Sequence, residues 1–160
     1  MNEHKVRRLV AQHDAQGKAH FAIDEEMELP PFGPKAFSDL LWVTAESPAN
    51  NMEDRDLRGS LAGLASKAGT AVRILDVAPG NETPMHRTIS VDYVFIIQGE
   101  IDLELEGGDT RTLKAGDFIV QRGTSHRWIN RSGKWMQMLA ILVAAHPVTI
   151  DGQELAEIHV

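Results

Sequence analysis

From residue 70 onward, glycine-containing breaks cut the chain into short apolar segments, and this is the feature that most constrains its fold. TAVRILDVA ends at Pro79-Gly80, TISVDYVFII at Gln98-Gly99, EIDLELE at Gly107-Gly108-Asp109, TRTLK at Ala115-Gly116-Asp117 and DFIVQR at Gly123. Breaks every ~8–12 residues, separating segments rich in β-branched and aromatic side chains, predict short strands reversed by tight turns, the pattern of a sandwich or barrel. Helical periodicity is absent there. In EIDLELE, Ile101, Leu103 and Leu105 alternate with Asp102, Glu104 and Glu106, so one face is expected in a core and the other in water. WMQMLAILVAA (135–145) is apolar on both parities, as for a strand buried on both sides or against a subunit partner.

The first 69 residues read differently. KVRRLVAQHDAQGKAHFAID predicts a β-hairpin turning at Asp14 to Gly17, followed by the Pro-rich LPPFGP and a strand FSDLLWVTA. Residues 47–69 are expected to be a long loop or short helix over the barrel, with helical character around 54–66. The expected organisation is one all-β domain: hairpin and covering loops in 1–69, a barrel core in 70–145, and a tail, 146–160, of a helical turn or two.

A length of 160 residues suits a single core, and a net charge of −7 with a pI near 5.4 argues against nucleic acid as a partner. Small molecules are the expected partners. No apolar run reaches the ~18–20 residues needed to cross a bilayer and the N-terminus lacks a signal-type apolar segment, so a cytoplasmic protein without membrane contact is expected. With no Cys, any metal must be held by N and O ligands.

Candidate chemistry lies in PGNETPMHRTISVDYVFIIQGE and GDFIVQRGTSHRWIN. If HRTISVD is extended, His86, Thr88, Ser90 and Asp92 leave one face of one strand, and His126, Trp128 and Asn130 do the same on a later one. Two imidazoles and a carboxylate converging in a cavity would suit Zn²⁺, Fe²⁺, Mn²⁺, Ni²⁺ or Cu²⁺. Asp92 could instead anchor a backbone amide or pair with an Arg, and Thr88 is expected beside the site, holding a water or substrate oxygen. His4, His13, His20, His146 and His159 have no partner at metal spacing and are read as surface residues. Trp128 and Tyr93 are read as core, Gly80, Gly99, Gly116 and Gly123 as turn residues, and Asn130 as fixing a turn through its amide. One of Arg73, Arg87 and Arg122 could clamp a substrate carboxylate.

These two stretches resemble the motifs of the cupin superfamily. The first motif falls on Gly80, His86, Thr88, Asp92 and Gly99 with its intervals kept. Thr88 stands for the second His and Asp92 for the Glu. The second falls on Gly116, Gly123, His126 and Asn130, with its Pro missing and its first interval one residue short. The resemblance covers about residues 70–145 and implies a double-stranded β-helix (jelly-roll) barrel. By the family's pattern the metal ligands would be His86, Asp92 and His126, and small cupins are usually homodimers. It further implies a divalent-metal enzyme with dioxygenase, decarboxylase, isomerase or dehydratase chemistry on a small carboxylated or aromatic compound, in which Asp92 or metal-bound water would be the base and Thr88 would assist. Because two ligand positions have changed, the alternative is a metal-free barrel that binds or senses a small molecule.

Overall fold

The structure, a computed structural model, describes residues 4–159. The elements run β1 (Lys5–His13), β2 (Ala19–Glu28), β3 (Ala36–Val43), a 3-10 turn (Leu57–Ser60), β4 (Thr70–Val77), β5 (Ser90–Gln98), β6 (Glu100–Leu105), β7 (Thr110–Lys114), β8 (Phe118–Arg122), β9 (His126–Ile129), β10 (Met136–Ala144), β11 (Thr149–Ile150) and β12 (Gln153–Glu154). A five-stranded antiparallel sheet, β3-β4-β10-β5-β8, faces a three-stranded one, β7-β6-β9. The two close on a core in which Val77, Val94, Ile96, Met136 and Met138 of the large sheet meet Ile101, Leu103 and Trp128 of the small one. This is the expected all-β barrel, and the edge strand β3 is drawn into it from the N-terminal third.

Strand alternation decides which side chains face inward. On β6, Ile101 and Leu103 are buried, while Asp102 and Glu104 point outward to Arg131 and Arg127. On β10, Met136, Met138 and Leu142 are fully inside, whereas Leu139, Ile141 and Val143 on the other face are only half-buried. The doubly apolar strand is therefore central in its sheet but not covered on both sides within one chain. Tyr93, read as core, lies on that same outer face, 39% exposed beside Phe118. Its parity is opposite to that of the inward Asp92.

The hairpin β1–β2 turns where expected, with Gly17 at φ 75°. It is anchored to the barrel by Arg8, which donates to Glu25, Asp56 and the Leu41 carbonyl. His4, expected at the surface, is instead stacked on Phe37 and bonded through Nδ1 to Asp76 at 2.7 Å. Asp76 is wholly buried on β4 and also accepts from Gln137 Nε2 at 2.8 Å. Removing that carboxylate would leave two half-buried donors without this acceptor. Asp76→Ala is accordingly expected to lose about 2–3 kcal/mol in urea unfolding, with Asp76→Asn losing less.

The tail corrects another expectation. Asp151 (φ 50°) and Gly152 (φ 80°) form a tight reversal between β11 and β12 where helical turns were expected. Two successive residues at positive φ make the hairpin turn that Asp-Gly favours. Beyond it, Ile158 exchanges backbone hydrogen bonds with Arg87 at 2.9 and 3.1 Å.

Candidate functional site

The segment from Gly80 to Ile89 crosses between the sheets. Glu82 and His86 bridge to Ile129 and His126 of β9, after which the chain bends at Ile89 and enters the large sheet at Ser90. HRTISVD is thus not one continuous strand, because its first half completes the small sheet and its second half opens β5. The alternation of burial nevertheless survives the bend, and His86, Thr88, Ser90 and Asp92 are all buried.

A cavity of about 630 Å³ opens between the sheets. His86, Thr88, Asp92 and His126 line it, together with Gln121 and Arg73. The imidazoles of His86 and His126 lie side by side, ring centres 4.3 Å apart. His86 Nδ1 is 2.9 Å from the Pro84 carbonyl and His126 Nδ1 is 2.9 Å from the Thr124 carbonyl. A carbonyl can only accept, so each Nδ1 carries the proton and each Nε2 presents a bare lone pair. Neither Nε2 has a hydrogen-bond partner among the described residues.

Burial pushes the His126 imidazole down to about 4, helped by the neighbouring His86 and opposed by the Thr124 carbonyl. Because the unfolded imidazole takes a proton first, the stability this group contributes is complete above pH 6.5 and is lost as pH falls towards 4. Burial raises the Asp92 carboxyl, against the Ser90 and Thr88 hydroxyls and His86. That shift acts the other way, favouring the folded state in acid. Wild-type protein is expected to lose up to about 3 kcal/mol through His126 between pH 7 and 4. In urea titrations at both pH values His126→Ala should show a shallower loss.

Asp92 sits in a closed triangle of hydroxyls. Ser90 Oγ is 2.5 Å from Asp92 Oδ1 and 2.8 Å from Thr88 Oγ1, which is 3.2 Å from Asp92 Oδ2. Thr88, expected to hold a water or substrate oxygen, thus spends its hydroxyl on Asp92. Gln121 is paired across the strands with Asp92 and stands, counting back from Gly123, where the second motif lacks its Pro. Of the three candidate arginines, Arg73 lines the cavity, Arg87 is tied to Glu106 and the Ala156 carbonyl, and Arg122 is exposed. Asn130 fixes its turn as expected, donating to the Val77 and Lys134 carbonyls and accepting from Ser132.

The sequence reading missed Gln121, and it missed the tail, whose Glu157, Ile158 and His159 form the cavity rim. His159, read as a surface residue, is indeed largely exposed there. A second cavity of about 690 Å³ runs between β1 and the end of β3. Its Arg7, Arg8 and Arg55 are all held in ion pairs, so they are not left to act on a ligand.

Two imidazole nitrogens are available, but among the described residues no three His, Cys, Asp or Glu side chains gather to hold an ion. Asp92 stays within its own hydroxyl network. The residues present fall one ligand short of the three protein ligands such a centre ordinarily needs.

The model of the Cupin domain family matches residues 73–142. The phomopsin biosynthesis cluster protein C' of Diaporthe leptostromiformis is 38% identical over 157 residues, covering 92% of this chain and 83% of that protein. A cupin-domain-containing oxidoreductase of Aspergillus ruber is 33% identical over 159 residues, covering 94% and 78%. Among solved structures, a conserved protein of Klebsiella pneumoniae with a double-stranded β-helix domain superposes with a TM-score of 0.53 at 16% identity, covering 82% of this chain and 90% of that one. The polyketide cyclase RemF of Streptomyces resistomycificus gives 0.50 at 16% identity, covering 79% and 71%. Crossing strands, inter-sheet cavity and sequence relatives agree, and the chain belongs to the cupin family.

Proposed function

We propose that this cupin is an enzyme that moves a proton on a small molecule held between its two sheets, with Nε2 of His86 or His126 as the base and the Asp92 carboxyl as the acid. The observation that carries this reading is the pair of bare Nε2 atoms at the cavity, each fixed by a backbone carbonyl on the opposite side of its ring. A proton count supports the acid. Ser90 and Thr88 bring two hydroxyl protons to three O···O contacts, and the third is satisfied when the carboxyl carries one. A base and an acid on opposite walls of one pocket are what proton abstraction with reprotonation elsewhere requires.

Relatives are named for biosynthesis clusters and as oxidoreductases, which supports a small organic substrate. Loss of a proton from a phenol, enol or acidic C–H is the opening step common to many isomerisations and oxidations of such molecules. The two imidazoles and the Asp92 carboxyl supply the groups for that step.

Two measurements test the reading. Wild-type protein incubated in ²H₂O with mixed small metabolites is expected to produce at least one compound carrying solvent deuterium, read by mass spectrometry, that His86→Ala/His126→Ala protein does not produce. Identical deuterium patterns for both proteins would sink the proposal. Elemental analysis of protein purified without added metal should give well short of one transition-metal ion per chain. A full equivalent that disappears in His126→Ala would replace the imidazole-base reading with a metal-centred one.

A further inference from the structure

Two side chains at the cavity each bury a nitrogen that has no hydrogen-bond partner. Gln121 is 3% exposed, and its Nε2 is buried without a hydrogen-bond partner. Arg73 Nε is likewise buried and unpartnered. Its terminal nitrogens reach only Ser38 Oγ at 3.4 Å and the Gly63 carbonyl at 3.5 Å. No ion pair is formed by Arg73 among the described residues, while Arg7, Arg8, Arg55, Arg58, Arg87, Arg127 and Arg131 each have a carboxylate. Burial lowers the guanidinium, with the Asp39 charge opposing. Desolvated donors without acceptors cost free energy in the empty protein, and a ligand that supplies acceptors recovers it.

Their placement sets the shape of that ligand. Gln121 lies on β8 and Arg73 on β4, at opposite sides of the cavity floor, with β5 and β10 between them. Three strand spacings separate them, about 14 Å along the sheet. Register sets the two a further two residues apart, because Gln121 is in the row of Asp92, Leu142 and Ala71, and Arg73 in the row of Val94 and Ala140. The floor between them is apolar, with Val94, Met138, Ala140 and Leu142 on it and Trp128 opposite. The Arg73 guanidinium lies over the face of the Phe32 ring, 5.8 Å from its centroid, so an aromatic surface flanks the charged end of the cavity.

Building on the proton-transfer reading, we infer that the substrate is an elongated, flat, mostly apolar molecule. Its hydroxyl or carbonyl oxygen takes the Gln121 amide beside Asp92 and the two imidazoles, and its carboxylate at the far end takes Arg73. The reacting end is thereby placed against the acid and base, and the charged end selects the molecule and fixes its direction. A neutral amide or ester in the carboxylate's place would leave the guanidinium without its counter-charge.

The test uses 6-hydroxy-2-naphthoate, its neutral carboxamide and 2-naphthol as probes, with affinity from calorimetry and location from backbone amide shifts. Wild-type protein is expected to bind the carboxylate at least about tenfold more tightly than the carboxamide. Arg73→Gln should bring that ratio near one, with the carboxylate losing far more affinity than the carboxamide. Gln121→Leu should weaken all three probes by roughly threefold to tenfold. Neither variant should melt below wild type, since groups that make no full contact in the empty protein contribute little to holding it together. A loss of several degrees in Arg73→Gln or Gln121→Leu would show a structural role instead and overturn that residue's assignment. A wild-type ratio near one, or a ratio that Arg73→Gln leaves intact, overturns the carboxylate clamp alone. Probes that move no amide around the cavity at millimolar concentration overturn the pocket as a binding site, and with it the proton-transfer reading.

Discussion

Turnover by the His86→Ala/His126→Ala variant is expected to fall by about 10²–10⁴-fold, the usual contribution of a positioned acid or base. Each imidazole offers one bare nitrogen, so losing both removes every such acceptor the pair provides. Asp92→Asn should lose a comparable factor, because the amide keeps the shape of the carboxyl but cannot pass a proton on. Misfolding is separable from this loss. His126 is buried neutral and resists protonation, so the variant should hold its stability in mild acid better than wild type while remaining inactive. Thermal melts at pH 7.5 and 5 beside the deuterium assay check both halves. Full activity in the double variant would remove the imidazoles from the mechanism.

Gly69→Ala is expected to be the most damaging single methyl in the chain. A Cβ there would lie 1.9 Å from the Thr44 carbonyl oxygen, 2.6 Å from its carbon and 2.8 Å from Glu46 N. All three are backbone atoms, and they belong to a junction that cannot yield easily. Thr44 N donates to the Thr70 carbonyl, Ala144 N to the Gly69 carbonyl, and Gly69 N to Ser66 Oγ. The expected cost is about 3 kcal/mol or more, read as a lower urea midpoint or as insoluble expression. Gly107→Ala meets nothing within 4 Å and should be tolerated. An unaltered midpoint for Gly69→Ala would show that the loop is not pressed against β3 in solution.

Much of the fold was legible because strand and turn signals are local. The Gly-punctuated segments became β4 to β8, and the alternation in EIDLELE placed Ile101 and Leu103 in the core. The turn at Asp14 to Gly17 likewise needed only near neighbours. At the tail the Asp-Gly signal for a tight hairpin was present, but the short flanks were read as helical. His4 was misplaced for a different reason: its partners, Asp76 and Phe37, are distant in sequence and meet it only when the hairpin docks.

The barrel, and the grouping of His86, Thr88, Ser90 and Asp92 on one face and of His126 and Trp128 on another, can be read from local sequence, because an extended chain alternates its faces every two residues and the bend at Ile89 happens to keep that alternation. Which of those groups come together depends on contacts distant in the chain. The crossing at Ile89 places His86 against β9 and Asp92 on β5, so the imidazoles meet while the carboxyl closes on Ser90 and Thr88. It also left Gln121 Nε2 and Arg73 Nε without hydrogen-bond partners at opposite sides of the pocket floor. Which polar groups find a partner depends on distances between strands far apart in the chain, and periodicity carries no information about those.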